Sequence, residues 1–251
     1  MESGLLVLAG FVVGMFGTIV GAGGGFLMLP IFLTVLHFRP AEAAGTTQMF
    51  VLANAVSGAI PYYLQGRVNV KAAIWFSAFA IPGSIAGALL SGVVPAKAFE
   101  QTFAVLLVAI AVRILYLLFF AAKPGEVEPA QRTPSIPATA AIASSIGLMA
   151  GLFGIGGGPL QVPMLLYLYR MPVAIATATS VFILAITAFA AGAIHFASGH
   201  VLVVPALTAS LGGVLGGQAG AALSKRMKSK LVMVLFATAV LLTAGRLFIA
   251  A

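Results

Sequence analysis

Cysteine is absent from the 251 residues, and so is aspartate. The first absence removes disulfides, thiolate nucleophiles and cysteine-based metal sites. The second leaves five acidic residues, all glutamate, with no paired carboxylates within an apolar run and no acidic ligands there for a cation. Charge of either sign is scarce, at 7% of residues, against about a quarter in soluble domains. So few charges cannot make a water-facing surface.

What fills the chain instead is apolar. Hydrophobic residues make up 61% and the mean hydropathy is +1.15. The fold class expected is an all-α polytopic membrane protein. The net charge of +8 does not point to nucleic acid, because the basic residues lie in gaps between apolar runs. Such gaps are membrane loops, where Lys and Arg set orientation. The first apolar run, from Leu5, lacks the positive n-region of a signal peptide and is expected to be part of the folded protein.

The chain repeats itself. Residues 21–30 read GAGGGFLMLP and residues 154–163 read GIGGGPLQVP, an offset of 133 (158 − 25). The same offset pairs Gly14 with Gly147, Pro30 with Pro163, Gly83 with Gly216 and Arg113 with Arg246. Two homologous halves are therefore expected, 1–122 and 138–251. They are joined by a polar, Pro-rich linker at 123–137. Each half holds two short apolar runs that meet at the glycines, then three runs near the ~20 residues of a membrane span. If each broken pair enters and leaves on one side, the halves form inverted repeats. Arg67, Lys71, Lys123, Arg132, Arg170, Lys225, Arg226, Lys228 and Lys230 then share one face, with Arg39 and Lys97 opposite. The positive-inside rule favours that arrangement and makes the richer face cytoplasmic.

The glycine clusters carry the functional reading. Three consecutive glycines break a helix. Broken backbone at membrane depth is tolerated only in protein or against a wet cavity. Helix N-termini beginning there present free N–H groups to an anion. Gly23, Gly24 and Gly25, and Gly156, Gly157 and Gly158, are thus the substrate-binding candidates, with Pro159 suited to a first helical turn. Neither copy is followed by the Lys-Ser/Thr of a nucleotide loop. Other glycines (Gly10, Gly14, Gly17, Gly83, Gly87, Gly147, Gly151, Gly212, Gly213, Gly216, Gly217 and Gly220) are read as close helix packing.

The paired GxGGGxxxxP cores, the duplicated halves and the Thr47-Gln48 and Thr179-Ser180 pairs resemble the TauE/SafE sulfite exporter family, also called the 4-toluene sulfonate uptake permease family. The likeness covers nearly the whole chain. It implies a secondary transporter of sulfite, thiosulfate, organosulfonates or similar anions, commonly an exporter, driven by the proton gradient or membrane potential.

Polar groups inside spans add candidates. Thr46, Thr47 and Gln48, and their counterparts Thr177, Thr179 and Ser180, can donate to sulfonate oxygens or tie helices together. Asn54, with apolar Ile186 opposite, and Gln161, with Met28 opposite, join them. Arg113 and Arg246 either snorkel to the interface or supply positive potential to an anion path. Proton coupling would draw on His195, whose range suits a pH-linked switch. Tyr62, Tyr63 and Trp75 suit the interfacial aromatic belt. Partners expected are a small anion and the lipid bilayer, with no nucleic acid, cofactor or metal. A channel-like anion or small-solute pore is the alternative. An intramembrane enzyme is disfavoured, for want of any catalytic constellation within a span.

Overall fold

A computed structural model describes residues 3–120 and 135–250. Most of the linker read at 123–137 lies outside the described residues, as do the side chains of Arg113 and Arg246. The described chain is all helical: α1 (Ser3–Val20), α2 (Gly25–Pro30, prolonged by a π-turn over Ile31–Val35), α3 (Pro40–Leu64), α4 (Val70–Leu90), α5 (Ala96–Phe120), α6 (Ile136–Phe153), α7 (Gly158–Tyr167), α8 (Val173–Ala197), α9 (Val203–Ser224) and α10 (Ser229–Ala250). Pro40 opens α3 after extended Arg39, and Glu42 accepts from the Arg39 backbone N–H at 3.2 Å and from its Nε at 3.0 Å. Pro137 sits in the first turn of α6, where its missing N–H costs nothing.

Among the described residues four helices, α1, α4, α6 and α8, are long and apolar enough to cross a membrane. The short runs before each glycine cluster were expected to be too brief to span; α1 and α6 are not. The glycines inside them do not end them, because these are packed against partner backbone. A Cβ on Gly212 would strike Val7 O, one on Gly216 Phe11 O, and one on Gly10 Ala209 O. The same contact recurs between α4 and α6, where a Cβ on Gly83 would strike Ser144 O and one on Gly147 Ala80 O. Backbones this close gain dispersion and Cα–H···O contacts, so the packing reading of these glycines holds. The packing is also reciprocal: α1 lies along α9 and α6 along α4, while α3 packs on α8 and α5 on α10.

Contact order fixes the course of the chain. Gly14 approaches Asn54, and Thr18 approaches Gly58 and Tyr62, so α1 and α3 run in the same direction. Between them α2 must return. α3 and α8 run oppositely: Gly45 meets His200 and Gln48 meets Ala188, while Arg67 just beyond α3 reaches Ala174. The basic residues gather accordingly. Arg67 donates to Ser224 Oγ at 2.9 Å, next to Lys225 and Arg226, and Lys71 and Arg170 line one cleft at that end. Arg39 and Lys97 lie at the other end. The circumference is apolar, with Leu8, Ile60, Leu207, Leu211 and Leu215 exposed, as a lipid-facing surface requires. Apolarity all round leaves little amphipathic signal.

Candidate functional site

Each break turns the chain back on itself. Ala22 and Gly23 N–H both donate to Gly17 O, at 2.8 and 3.0 Å, closing α1. Gly23 and Gly24 then take φ of +69° and +78°, and Gly156 and Gly157 take +74° and +83°. This left-handed region costs any other L-residue about 1–2 kcal/mol. The reversal sets Gly24 against Val13, where a Cβ would lie 2.7 Å from Val13 O. Gly24 and Gly157 cap the returning helices. Leu27 and Met28 N–H reach Gly24 O, both at 3.0 Å, as Leu160 and Gln161 N–H reach Gly157 O at 3.0 and 2.9 Å. The N–H groups of Gly25, Phe26 and Gly158 precede these ladders and have no carbonyl within them.

The two breaks meet. A Cβ on Gly25 would lie 2.8 Å from Ile155 Cα, and Gly158 presses on the Ala22 backbone. Gly23 and Gly156 both face Val51 of α3 and Leu184 of α8, two fully buried side chains related by the offset of 133. Gly23, Gly25, Gly156 and Gly158 thus lie around one centre, while Gly24 and Gly157 face back onto α1 and α6. Val51 and Leu184 occupy that centre, and as apolar residues in apolar helices they carry no polar mark in the sequence. Their shared offset from opposite halves was the available signal.

Side-chain amides and hydroxyls hold the breaks in shape. Asn54 Nδ2 donates to Gly23 O at 3.1 Å and to Thr18 Oγ1 at 3.2 Å. Ser180 Oγ lies 2.7 Å from Gly21 O and 3.1 Å from Gln161 Oε1, and Gln161 Nε2 lies 3.5 Å from Gly156 O. Asn54, Ser180 and Gln161 therefore touch the breaks. Thr179 does not: its Oγ1 accepts from Asn69 N at the head of α4 at 3.0 Å, as Thr46 Oγ1 accepts from Leu202 N at the head of α9 at 3.1 Å. Since α3 and α8 are both 25 residues long, Asn54 falls at the same step as Thr187, not Ile186, and Thr47 at the same step as Ser180. Thr47 Oγ1 and Gln48 Oε1 are buried with no partner, while Gln48 Nε2 makes one long bond to Ala188 O, 3.4 Å.

Two further residues emerge at the rims. Tyr62, expected in the interfacial belt, is fully buried and donates to Thr18 O at 2.9 Å. His195, at the same step of α8, donates from Nε2 to Gly151 O at 2.8 Å, leaving a buried Nδ1 without a partner. Each ties down the last turns of a broken helix. Arg67 lies over the Tyr62 ring at 4.9 Å, and the His200 ring lies 5.7 Å from that of His195. Thr18 was missed because a threonine in an apolar helix carries no pattern; its offset partner is Gly151.

Comparisons with known proteins follow this architecture. The family described as Sulfite exporter TauE/SafE matches residues 6–247. The chain is 30% identical to the probable membrane transporter protein YunE of Bacillus subtilis, over 92% of each chain. It is also 30% identical to the probable membrane transporter protein ORF9 of a Sinorhizobium species, over 95% of this chain and 91% of that one. The archaeal probable membrane transporter protein MJ0441 of Methanocaldococcus jannaschii is 27% identical over 73% of this chain and 68% of its own. No solved structure matches. These are transporters and not enzymes. The chain is an integral membrane protein of the TauE/SafE sulfite exporter family.

Proposed function

We propose that the protein carries a small sulfur-containing anion, such as sulfite or an organosulfonate, out of the cell, and holds it at the centre where the two breaks meet. In this reading residues 1–122 and 138–251 are homologous units inserted as inverted repeats, with 123–137 as their linker. The reciprocal packing of α1 on α9 and α6 on α4 supports it, as does the opposite course of α3 and α8. The observation that carries the binding site is the convergence of two helix starts, Gly25 against Ile155 and Gly158 against Ala22. Their free N–H groups and positive dipole ends favour negative charge. The unpartnered Thr47 hydroxyl is a further donor toward an oxyanion. Because Val51 and Leu184 fill the centre, substrate enters only when the halves part, which makes this conformation the closed stage of alternating access. Proton coupling falls to His195, whose bare Nδ1 is buried beside His200.

Two measurements test this. Purified protein in detergent is screened by thermal unfolding against sulfite, thiosulfate, sulfoacetate, taurine, toluenesulfonate, sulfate and acetate, since a ligand of the folded state raises its stability. Stabilisation by a sulfur oxyanion alone is expected; a response only to another solute removes the substrate assignment. Liposomes loaded with the stabilising anion should then show saturable efflux and counterflow. Flux without saturation would make the protein a pore.

A further inference from the structure

Two corners of the chain fasten one half to the other, at opposite ends of the molecule. The first is the corner between α3 and α4. There Arg67 Nη1 donates to Ser224 Oγ at the end of α9, at 2.9 Å, and Nη2 donates to Ala174 O at the head of α8, at 3.2 Å. Two residues on, Asn69 N–H donates to Thr179 Oγ1 of α8 at 3.0 Å. The second is the corner between α8 and α9. His200 Nδ1 lies 3.4 Å from Ser91 Oγ, just past α4, and Leu202 N–H donates to Thr46 Oγ1 of α3 at 3.1 Å.

The two fastenings are one device written twice. Arg67 and His200 are separated by the offset of 133, and so are Asn69 and Leu202, Ser91 and Ser224, and Thr46 and Thr179. Each serine is buried and donates its own proton to the carbonyl three residues back, Ser224 to Ala221 O at 2.9 Å and Ser91 to Ala88 O at 2.8 Å. Its oxygen is left to accept, so His200 Nδ1 carries the proton of its contact. Each corner bond joins residues 1–122 to residues 138–251. Neither end can part while its corner is fastened.

The corners differ in strength. Arg67 is always charged, makes two bonds across the halves and lies over the Tyr62 ring at 4.9 Å. Charge-assisted bonds are roughly twice as strong as neutral ones. His200 makes one contact, longer than the usual ~2.7–3.2 Å of an N–H···O bond.

We propose that Arg67 with Ser224 and His200 with Ser91 are the latches at the two ends of the transport path, and that the His200 latch releases first. This rests on the alternating access proposed above. The latches touch no substrate; they set how far the halves can part at each end.

The natural absence of cysteine supplies the test. Val51→Cys places a single thiol at the centre, beside Gly23 and Gly156. The full-length protein is reconstituted in liposomes, and a membrane-impermeant methanethiosulfonate is applied from one side at a time. In separate samples Lys228→Cys marks the basic end and Lys97→Cys the other. Modification of the central thiol should be faster from the Lys97 end. Adding Ser224→Ala should raise the rate from the basic end about fivefold, the effect of one lost hydrogen bond, and not from the other. Adding Ser91→Ala should raise only the rate from the Lys97 end. Arg67→Ala and His200→Ala should repeat the two shifts from the donor side. Equal rises from both ends, a rise at the wrong end or no change would overturn the latches while the thiol is still modified. A faster rate from the basic end before any latch is removed would overturn the order of release. A thiol that stays out of reach from both ends in every variant would refute alternating access itself, and the latches with it.

Discussion

The two glycine breaks share a backbone and differ in what braces them. At the first, Asn54 reaches both Gly23 O and Thr18, Ser180 reaches Gly21 O, and a phenol backed by a guanidinium, Tyr62 and Arg67, ties the end of α1. At the second, Gln161 makes one long bond to Gly156 O, Thr47 contributes none, and two imidazoles replace the phenol and guanidinium. Buried carbonyls with good donors hold their shape. The first break is thus the more firmly braced side of the centre and the second the less braced. Under the alternating access proposed above, the less firmly braced break is expected to give first.

The comparison can be broken most directly through glycine itself. Gly24→Ala should cost about 3 kcal/mol, combining left-handed strain with a collision against Val13 O. Gly157→Ala should cost about 1–2 kcal/mol, since its nearest neighbours are the side-chain atoms of Ala150 and Ile146, both at 3.1 Å. Unfolding midpoints of the two variants in one detergent check the order; equal losses would mean the sides are equally rigid. Next in size is the pair of amides. Asn54→Ala leaves a buried carbonyl unpaired and should lose about 2–3 kcal/mol, whereas Gln161→Ala should lose about 1 kcal/mol. Hydrogen exchange should show the first variant, and not the second, loosening its own break.

A smaller effect is expected at the rims. Tyr62→Phe removes one hydrogen bond and should cost about 1 kcal/mol. His195→Gln retains an N–H for Gly151 O, so it should unfold near the wild-type midpoint. Under the coupling proposed above it should also lose pH dependence of transport, and an unchanged pH profile would clear His195 of that role. Smallest of all for stability is Thr47→Val. It removes a hydroxyl that bonds to nothing and should leave the midpoint within about 0.5 kcal/mol, yet it should weaken the shift produced by the transported anion. A variant with full ligand response would exclude Thr47 from the site.

Much of this was legible in the sequence because local chemistry wrote it there. Pro40 opens α3, the glycine clusters mark the breaks that follow α1 and α6, and small-residue spacing marks the faces that interlock. The resemblance carried by the paired glycine cores reached the family. What could not be read was which residues meet across long stretches of chain. Asn54 finds Gly23 over 31 positions, Ser180 finds Gly21 over 159, and Gln48 finds Ala188 over 140. No periodicity encodes such pairs. Tyr62 was misplaced for a related reason: an aromatic at a helix end looks the same whether it faces lipid or a carbonyl. The run that forms α1 was read as too brief to span, and propensity penalises Gly10 and Gly14 without knowing that α9 covers them.

That cover has a cost in time. The groove on α1 closes only when α9 arrives, about 200 residues later in synthesis, roughly 10–40 s at ~5–20 residues per second. Until then the ribosome has released a helix whose bare backbone stripe faces lipid. The first half waits unfinished in the membrane, and it is the last third of the chain that completes the first helix.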